Sequence, residues 1–133
     1  MTANSIFFDI GSCHGSWTLP ALANGARVYA FEPDPRYNES LLDSVAINPG
    51  FQERLWLGKV GVYSQICMGN FLEMENVPFT TIDDFVRNYK VAPDFIKVDV
   101  EGVGVLEDAV KTLEQKPKLF IENHFEDERH LSD

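Results

Sequence analysis

An acidic residue and two glycines near the start of the chain have the types and spacing to hold a charged small molecule. Residues 6–15 form an apolar run of strand length that contains Asp9 and stops at Gly11, and a second glycine follows at Gly15. A strand that ends in a glycine-rich turn before a helix is how open α/β sheets present a nucleotide-like ligand. Glycine allows positive φ and lets a ligand approach the main chain. The stretch predicts a ligand site. The alternative is an ordinary strand-turn-helix corner that binds no ligand.

The spacing within this turn separates two classes of ligand. Enzymes that bind dinucleotides carry Gly-x-Gly-x-x-Gly and hold the pyrophosphate at a helix N-terminus. Here Asp9 precedes Gly11 and Gly15, and its carboxylate would repel a pyrophosphate. The pattern favours a ligand with a cationic amino group and no phosphate, such as S-adenosylmethionine. A nicotinamide-dependent oxidoreductase remains an alternative.

More acidic residues follow the other predicted strands. Glu32 ends a strand predicted over residues 27–31 and lies about 20 residues after the glycine turn, where such folds place the acid that holds a ribose. An ordinary surface glutamate is the alternative. The carboxyl ends of the fourth and fifth predicted strands, with the residues just after them, carry the acids Asp99, Glu101 and Glu122 and the histidine His124. Because the carboxyl ends of parallel strands share one edge, these acids should gather there and repel one another, which predicts a ligand that offsets the repulsion.

The elements that would position these residues alternate along the chain. Strands are predicted over residues 5–10, 27–31, 55–62, 95–100 and 119–122. Helices are predicted over residues 16–24, after an N-cap at Asp34, after an N-cap at Thr80 or Thr81, and around residues 105–113. Residues 65–79 are predicted to be a loop, with a short extended piece as an alternative within it. This alternation predicts a parallel sheet with right-handed crossovers.

Composition and charge narrow the class of protein. The 133 residues, 44% of them hydrophobic, predict one domain over residues 1–133 with a buried core. A net charge of -10 argues against nucleic acid and acidic membranes as partners, because binding phosphates needs clustered Lys and Arg. Cys13, Cys67 and the histidines match no disulfide or metal-ligand pattern, so we expect no metal and a cytoplasmic location. No signal peptide and no run of 18 apolar residues is found, so a soluble protein is expected.

The same segments resemble the FkbM-like family of class I S-adenosylmethionine-dependent methyltransferases. The resemblance extends from Ile6 to about His124, through residues 8–15, 29–33, 81–85, 95–102 and 119–122, and residues 95–102 are its most specific part. It implies a Rossmann-like open parallel sheet in a three-layer αβα arrangement with strand order 3-2-1-4-5. It also implies S-adenosylmethionine as the cofactor and a sugar or other small-metabolite hydroxyl as the methyl acceptor. The family usually continues with two more strands, so we expect this sheet to lack the sixth and seventh.

The resemblance implies roles for individual residues. The turn would shape the methionine end of the cofactor site and supply main-chain contacts, Glu32 would hold the ribose, and Asp99 would lie beside the methionine group. The implied cofactor-binding set is Asp9, Gly11, Ser12, Cys13, His14, Gly15, Ser16, Glu32, Pro33 and Asp99.

A hydroxyl acceptor also needs a base to take its proton. The candidates, in order, are His124, Asp99 and Glu101. Each has a simpler alternative. His124 would be a surface residue, Asp99 would bind only the cofactor, and Glu101 would cap the following helix. A different class of function is a shortened, non-catalytic module that binds S-adenosylmethionine or forms oligomers. Its apolar fifth strand would then be an edge able to pair with a second copy.

Overall fold

The computed structural model describes residues 1–62, 67–71, 74–99, 104–107 and 109–122. Besides a short 3₁₀ helix (Gln52–Arg54), the elements in chain order are β1 (Ile6–Ile10), α1 (Thr18–Ala23), β2 (Arg27–Phe31), α2 (Pro35–Ala46), β3 (Leu55–Gly58), β4 (Gly61–Val62), β5 (Cys67–Phe71), β6 (Met74–Thr80), α3 (Ile82–Tyr89), β7 (Phe95–Val98), α4 (Gly104–Glu107), α5 (Val110–Glu114) and β8 (Lys118–Ile121).

The main sheet is open, and its neighbouring strands are all parallel. Its order is β3-β2-β1-β7-β8. Counted along the chain within this sheet, that order is 3-2-1-4-5, so the predicted fold class is confirmed. From β1 the chain adds β2 and β3 on one side of the sheet, and it then adds β7 and β8 on the other side of β1. This change in the order of strand addition creates a switch point between β1 and β7, where open α/β sheets form their ligand crevice. The carboxyl end of β1, with the glycine turn, lies at this point.

Two apolar cores lie on opposite faces of the sheet and make the three layers. Along β1, Phe7 faces the α1 and α2 side, and Phe8 faces the α3 side. This alternation follows from the period of two in a strand. Both phenylalanine side chains are fully buried. The face occupied by Phe7 also receives Asp9, two residues further on, so this carboxylate enters the protein interior below α1.

Two of the predicted helix starts are confirmed by their caps. The Asp34 carboxylate accepts a hydrogen bond from the main-chain N–H of Arg36 at the start of α2, with Pro35 as the first helical residue. The Thr81 hydroxyl accepts from the N–H of Asp84 at the start of α3. These local patterns place the two helices that follow β2 and precede β7.

A second, three-stranded sheet departs from the sequence prediction. The strand predicted over residues 55–62 is two strands, and β4 pairs with β6 in the order β4-β6-β5. The prediction of a loop over residues 65–79 is wrong, because β5 and β6 form an antiparallel pair there. Gly69 and Pro78 weaken the strand pattern of this segment, and Pro78 lies within β6. The pairing therefore depends on neighbouring strands more than on local preference.

The helix predicted around residues 105–113 is divided into α4 and α5. Asp83 of α3 accepts hydrogen bonds from the N–H groups of Lys111 and Thr112 and from the Thr112 hydroxyl. The first turn of α5 is thus capped by a side chain from another helix. Within the described residues, no helix carries an apolar stretch long enough to cross a membrane.

Candidate functional site

The turn after β1 is held in a backbone conformation that depends on its glycines. Gly11, Cys13 and Gly15 have φ values of 80°, 50° and 95°. The N–H of Gly11 donates to the carbonyl oxygen of Phe31 at 2.9 Å, and the N–H of Gly15 donates to that of Ser12 at 2.9 Å. The first bond fixes the turn to the end of β2, and the second closes the turn upon itself.

Gly15 also allows a close approach between the turn and α2. A Cβ atom at this position would lie 2.5 Å from Cδ1 of Leu41 and 3.3 Å from Cγ of Leu19. Leu41 is fully buried, so it has little room to move away. Gly15 is therefore required by packing as well as by its positive φ.

Glu32 joins the glycine turn to the start of α2. Its side chain is nearly fully buried, with 2% of the residue exposed. Oε1 accepts a hydrogen bond from the N–H of Cys13 at 3.1 Å, and Oε2 accepts one from the N–H of Asp34 at 3.0 Å. A carboxylate oxygen can accept more than one hydrogen bond, so each oxygen retains capacity for a ligand hydroxyl. The predicted ribose-binding acid thus lies beside the predicted turn.

Asp9 lies below the turn, where it contacts protein groups. Its Oδ2 accepts a hydrogen bond from the Thr18 hydroxyl at 2.6 Å, and its Oδ1 lies 3.1 Å from Nζ of Lys97. Burial raises the pKa of Asp9 above its usual range, and the Lys97 charge and the Thr18 hydrogen bond oppose that rise. Asp9 is fully buried, so it supports the turn from beneath.

Lys97 lies at the candidate site, and the sequence analysis did not single it out. Its ammonium group lies 2.8 Å from the carbonyl oxygen of Gly11, 3.1 Å from Oδ1 of Asp9 and 3.7 Å from Oδ2 of Asp99. Only 3% of its side chain is exposed. A lysine inside an otherwise apolar strand was the available sign, since lysine is almost never buried without a partner. Lys97 relieves the repulsion that we expected a ligand to offset.

The remaining turn residues differ in how accessible they are. The Ser12 hydroxyl is buried and has no hydrogen-bond partner among the described residues. Burial, followed by the nearby Glu32 charge, raises the pKa of the half-buried Cys13 thiol to about 11. His14 is exposed, with Nδ1 3.1 Å from the Ser40 hydroxyl. Ser16 is exposed and Pro33 is half-buried.

Of the three candidate bases, Asp99 is the one that lies within the described residues. Asp99 directly follows β7, and 23% of its side chain is exposed. It is therefore more exposed than Asp9, the other carboxylate beside Lys97. Glu101 and His124 lie outside the described residues, and their predicted roles stay predictions. Glu122 is exposed after β8. Within the described part of the chain, no group of histidine, cysteine and acidic residues could hold a metal ion.

A comparison with protein families matches residues 9–132 to the methyltransferase FkbM domain. The chain belongs to the FkbM methyltransferase family. Among solved structures, the FkbM domain described here is similar to the methyltransferase FkbM from Methylobacillus flagellatus KT, with a TM-score of 0.76 and 26% identity over 91% of this chain. It also shares the fold of the precorrin-6y C5,15-methyltransferase from Geobacter metallireducens GS-15, with a TM-score of 0.55 and 16% identity over 91% of this chain.

The chain spans only part of the length of each of those proteins. It covers 33% of the Methylobacillus chain and 55% of the Geobacter chain. No curated protein gives a significant match to its sequence. The predicted family is confirmed, and so is the fold that the resemblance implied.

Proposed function

We propose that this FkbM domain is an S-adenosylmethionine-dependent methyltransferase that methylates a hydroxyl of a sugar or another small metabolite. The observation that carries the proposal is the bond between the Cys13 N–H and Glu32, which brings the glycine turn and the acid at the end of β2 into one site. This site lies at the switch point of the sheet, where such folds bind ligands. Membership of the FkbM family supports methyl transfer as the reaction class.

The polar groups at the switch point fit S-adenosylmethionine. Ser12 supplies a buried hydroxyl that lacks a partner among the described residues, and such groups are normally satisfied by a ligand or water. Glu32 can accept hydrogen bonds from ribose hydroxyls, and Asp99 can pair with the amino group of the methionine end. The main chain of residues 11–15 would contact the ligand without side-chain obstruction at Gly11 and Gly15.

The charge at the site also fits this cofactor. Asp9, Glu32 and Asp99 together with Lys97 leave two net negative charges when all four groups are ionised. S-adenosylmethionine carries one net positive charge, in its sulfonium and amino groups less its carboxylate. The product of transfer has lost the sulfonium charge. A site with excess negative charge therefore favours the charged cofactor over its product.

Bound S-adenosylmethionine would supply an activated methyl group on its sulfonium. The contribution of the protein would be to hold the acceptor hydroxyl in line with that methyl group and to exclude water. Asp99 is exposed enough to reach an acceptor and would take its proton as the alcohol attacks. His124 and Glu101 remain the alternative bases.

Calorimetric titration with S-adenosylmethionine tests the cofactor assignment. We expect binding by the wild type and an affinity lowered by about tenfold or more in Glu32→Gln, because charge-assisted hydrogen bonds contribute about 1.5–3 kcal/mol. Glu39→Gln is the matched control, since Glu39 is exposed on α2 and changes the net charge equally. Absence of binding by the wild type, or equal affinities for both variants, would remove the assignment.

A non-catalytic binding module is the second candidate. Such a module would keep the cofactor site formed by the glycine turn and Glu32 and would carry out no methyl transfer. The two candidates differ in turnover: an enzyme releases S-adenosylhomocysteine when incubated with cofactor and a panel of sugar and small-alcohol acceptors. Cofactor binding without any product from that panel would favour the module.

A further inference from the structure

Asn38 is a buried polar residue near the start of α2, where it lies on the same helix face as two apolar residues. Asn38, Leu41 and Val45 are the buried residues of this helix, and Asn38 is 2% exposed. Asparagine is a weaker helix former than alanine or leucine. A buried amide also loses its hydration, which destabilises the fold unless hydrogen bonds replace the lost water. Two destabilising effects therefore meet at position 38.

The side-chain amide of Asn38 is satisfied on one side. Its Nδ2 donates to the main-chain carbonyl oxygen of Glu32 at 2.8 Å. Its Oδ1 is buried and has no hydrogen-bond partner among the described residues. The reversed amide would place Oδ1 against the Glu32 carbonyl oxygen, so that two acceptors would face each other. Because an unpartnered buried polar atom is destabilising, the bond to Glu32 is the contact that explains an asparagine here.

The Glu32 carbonyl needs this donor because the sheet ends beside it. The N–H of Glu32 donates to the carbonyl oxygen of Gly58, the last residue of β3, at 3.0 Å. In a longer parallel pair, the C=O of the same residue would accept a hydrogen bond from the continuation of that neighbouring strand. The Asn38 amide supplies an N–H to this carbonyl oxygen at the point where β3 stops.

Each polar group of Glu32 is thereby held by the protein. Its N–H bonds to Gly58, its C=O to Asn38, its Oε1 to the N–H of Cys13 and its Oε2 to the N–H of Asp34. Three of these partners are main-chain groups, which nearly every residue type supplies. Asn38 is the partner that acts through its side chain. The residue type at position 38 therefore affects how firmly Glu32 is held.

We propose that Asn38 is a positioning residue of the candidate site. It fixes the main chain of Glu32, so that the carboxylate stays between the glycine turn and α2 and can accept hydrogen bonds from ribose hydroxyls. Asn38 acts through Glu32 and does not contact the ligand itself. This inference rests on the proposed role of Glu32 in holding the ribose. Its effect on the placement of Glu32 can be measured without a ligand.

Position 38 should affect ligand binding more than stability. Asn38→Ala removes the bond to Glu32, and it also removes the unpartnered Oδ1 and raises helix propensity. These effects oppose one another, so we expect the urea midpoint of Asn38→Ala to stay within about 0.5 M of that of the wild type. A residue needed for the fold alone would lower the midpoint and leave the site unchanged.

Amide hydrogen exchange, followed by NMR without ligand, tests the placement of Glu32. The N–H groups of Cys13 and Asp34 donate to the Glu32 carboxylate. In Asn38→Ala, both should exchange about tenfold faster than in the wild type, because the carboxylate that holds them is less firmly fixed. The N–H of Asp84 is the reference, since it also donates to a side-chain oxygen, at the start of α3. Its exchange rate should not change.

Asn48→Ala is the matched control variant. The Nδ2 of Asn48 also donates to a main-chain carbonyl oxygen, that of Ser44, at 2.7 Å. This bond lies at the other end of α2, after its last residue. Asn48→Ala therefore removes the same side chain and the same kind of hydrogen bond without touching Glu32. The exchange rates of the Cys13 and Asp34 amides should stay as in the wild type.

Calorimetric titration with S-adenosylmethionine measures the consequence for binding. Asn38→Ala should weaken binding by about fivefold, which corresponds to the net contribution of one hydrogen bond. Asn48→Ala should bind as the wild type does. In a Glu32→Ala background no carboxylate remains to be positioned, so adding Asn38→Ala should weaken binding no further.

The outcomes separate this inference from the cofactor assignment. Unchanged exchange of the Cys13 and Asp34 amides in Asn38→Ala, or an equal acceleration at Asp84, would overturn the proposal. Faster exchange at the two amides with wild-type affinity for S-adenosylmethionine would also overturn it. A wild type that binds no S-adenosylmethionine would remove the cofactor assignment, and the exchange rates would then decide alone whether Asn38 positions Glu32.

Circular dichroism checks that each variant is folded. If Asn38→Ala fails to fold, Asn38→Ser takes its place in every measurement. A serine hydroxyl at position 38 can bond to the carbonyl oxygen of Asp34 within the helix, which already accepts the N–H of residue 38. The shorter side chain leaves the Glu32 carbonyl without its donor, so the same changes in exchange and affinity are expected.

Discussion

Nζ of Lys97 lies 3.1 Å from Oδ1 of Asp9, and 3% and 0% of the two side chains are exposed. This buried ion pair joins β7 to β1 under the glycine turn, and the same ammonium holds the carbonyl oxygen of Gly11. The most conspicuous acid of the turn is therefore already paired inside the protein. Asp9 shapes the candidate site through Lys97 and Thr18, and we infer that Ser12, Glu32 and Asp99 are the groups that a ligand would contact.

Removing the lysine should strongly destabilise the fold. Lys97→Met leaves the buried Asp9 without its cation, and breaking one side of a buried ion pair costs about 3–5 kcal/mol. Urea unfolding at pH 7 measures this loss. Lys111→Met, at an exposed position, should change stability by less than about 0.5 kcal/mol.

The same ion pair can be tested by a double-mutant cycle. Lys97→Met with Asp9→Asn should lose less stability than the two single changes added together, because the amide leaves no buried charge behind. Strict additivity would show that the two side chains do not interact in solution.

Gly15 should tolerate a methyl group less well than another glycine of the same conformation. Gly15→Ala combines positive φ with a Cβ placed 2.5 Å from Leu41, and we expect a loss of about 2–4 kcal/mol. Gly50 has a φ of 86° and only an Arg54 side-chain nitrogen, at 4.0 Å, near its Cβ position. Gly50→Ala therefore isolates the backbone cost of about 1–2 kcal/mol. Thermal unfolding of both variants measures the difference, and equal losses would contradict the packing role.

Asp83 should stabilise the protein in a pH-dependent way. Burial opposes ionisation of Asp83 most strongly, but hydrogen bonds from Thr112 and Lys111 together hold its pKa below the ordinary value of 3.8. A lowered folded-state pKa means that the stabilisation is present above pH 3.8 and is lost as the pH falls through the lowered pKa. Asp83→Ala should cost about 1–2 kcal/mol at pH 7.

The difference between wild type and Asp83→Ala should shrink when urea unfolding is repeated at about pH 2.5, below the ordinary aspartate pKa. Asp43→Ala, on the exposed side of α2, is the control for a change of charge alone. A difference that stays constant with pH would mean that the carboxylate does not cap α5.

The Cys13 thiol should react slowly at neutral pH. Burial, with the Glu32 charge second, raises its pKa to about 11, and the thiolate is the reactive form. In a Cys67→Ser background, alkylation by iodoacetamide should be slow at neutral pH, and its rate should keep rising with pH until it levels off near about 11. Glu32→Gln should shift the profile toward lower pH, because it removes a nearby negative charge. A profile centred near the ordinary thiol pKa, unchanged by that substitution, would contradict the placement of the two groups.

Local sequence patterns were sufficient to predict where α2 and α3 begin. The N-caps at Asp34 and Thr81 are fixed by the residue and its next few neighbours, and both are confirmed. The pairing of β5 with β6 was missed, because Gly69 and Pro78 obscure the alternation and the partner strands supply the missing preference. In the site, Glu32 was predicted from its spacing after the turn, and its bond to the Cys13 N–H required the folded chain.

The sequence by itself determined most of the alternation of strands and helices, because periodicity and capping residues are local properties of the chain. The family and the strand order followed from the resemblance of segments such as residues 95–102 to FkbM-like methyltransferases. The tertiary structure decided which charges meet. Lys97 is 86 residues from Gly11, and only the parallel pairing of β1 with β7 brings its ammonium to Gly11, Asp9 and Asp99. Electrostatic interactions fall with distance in space, and distance along the chain does not reveal them.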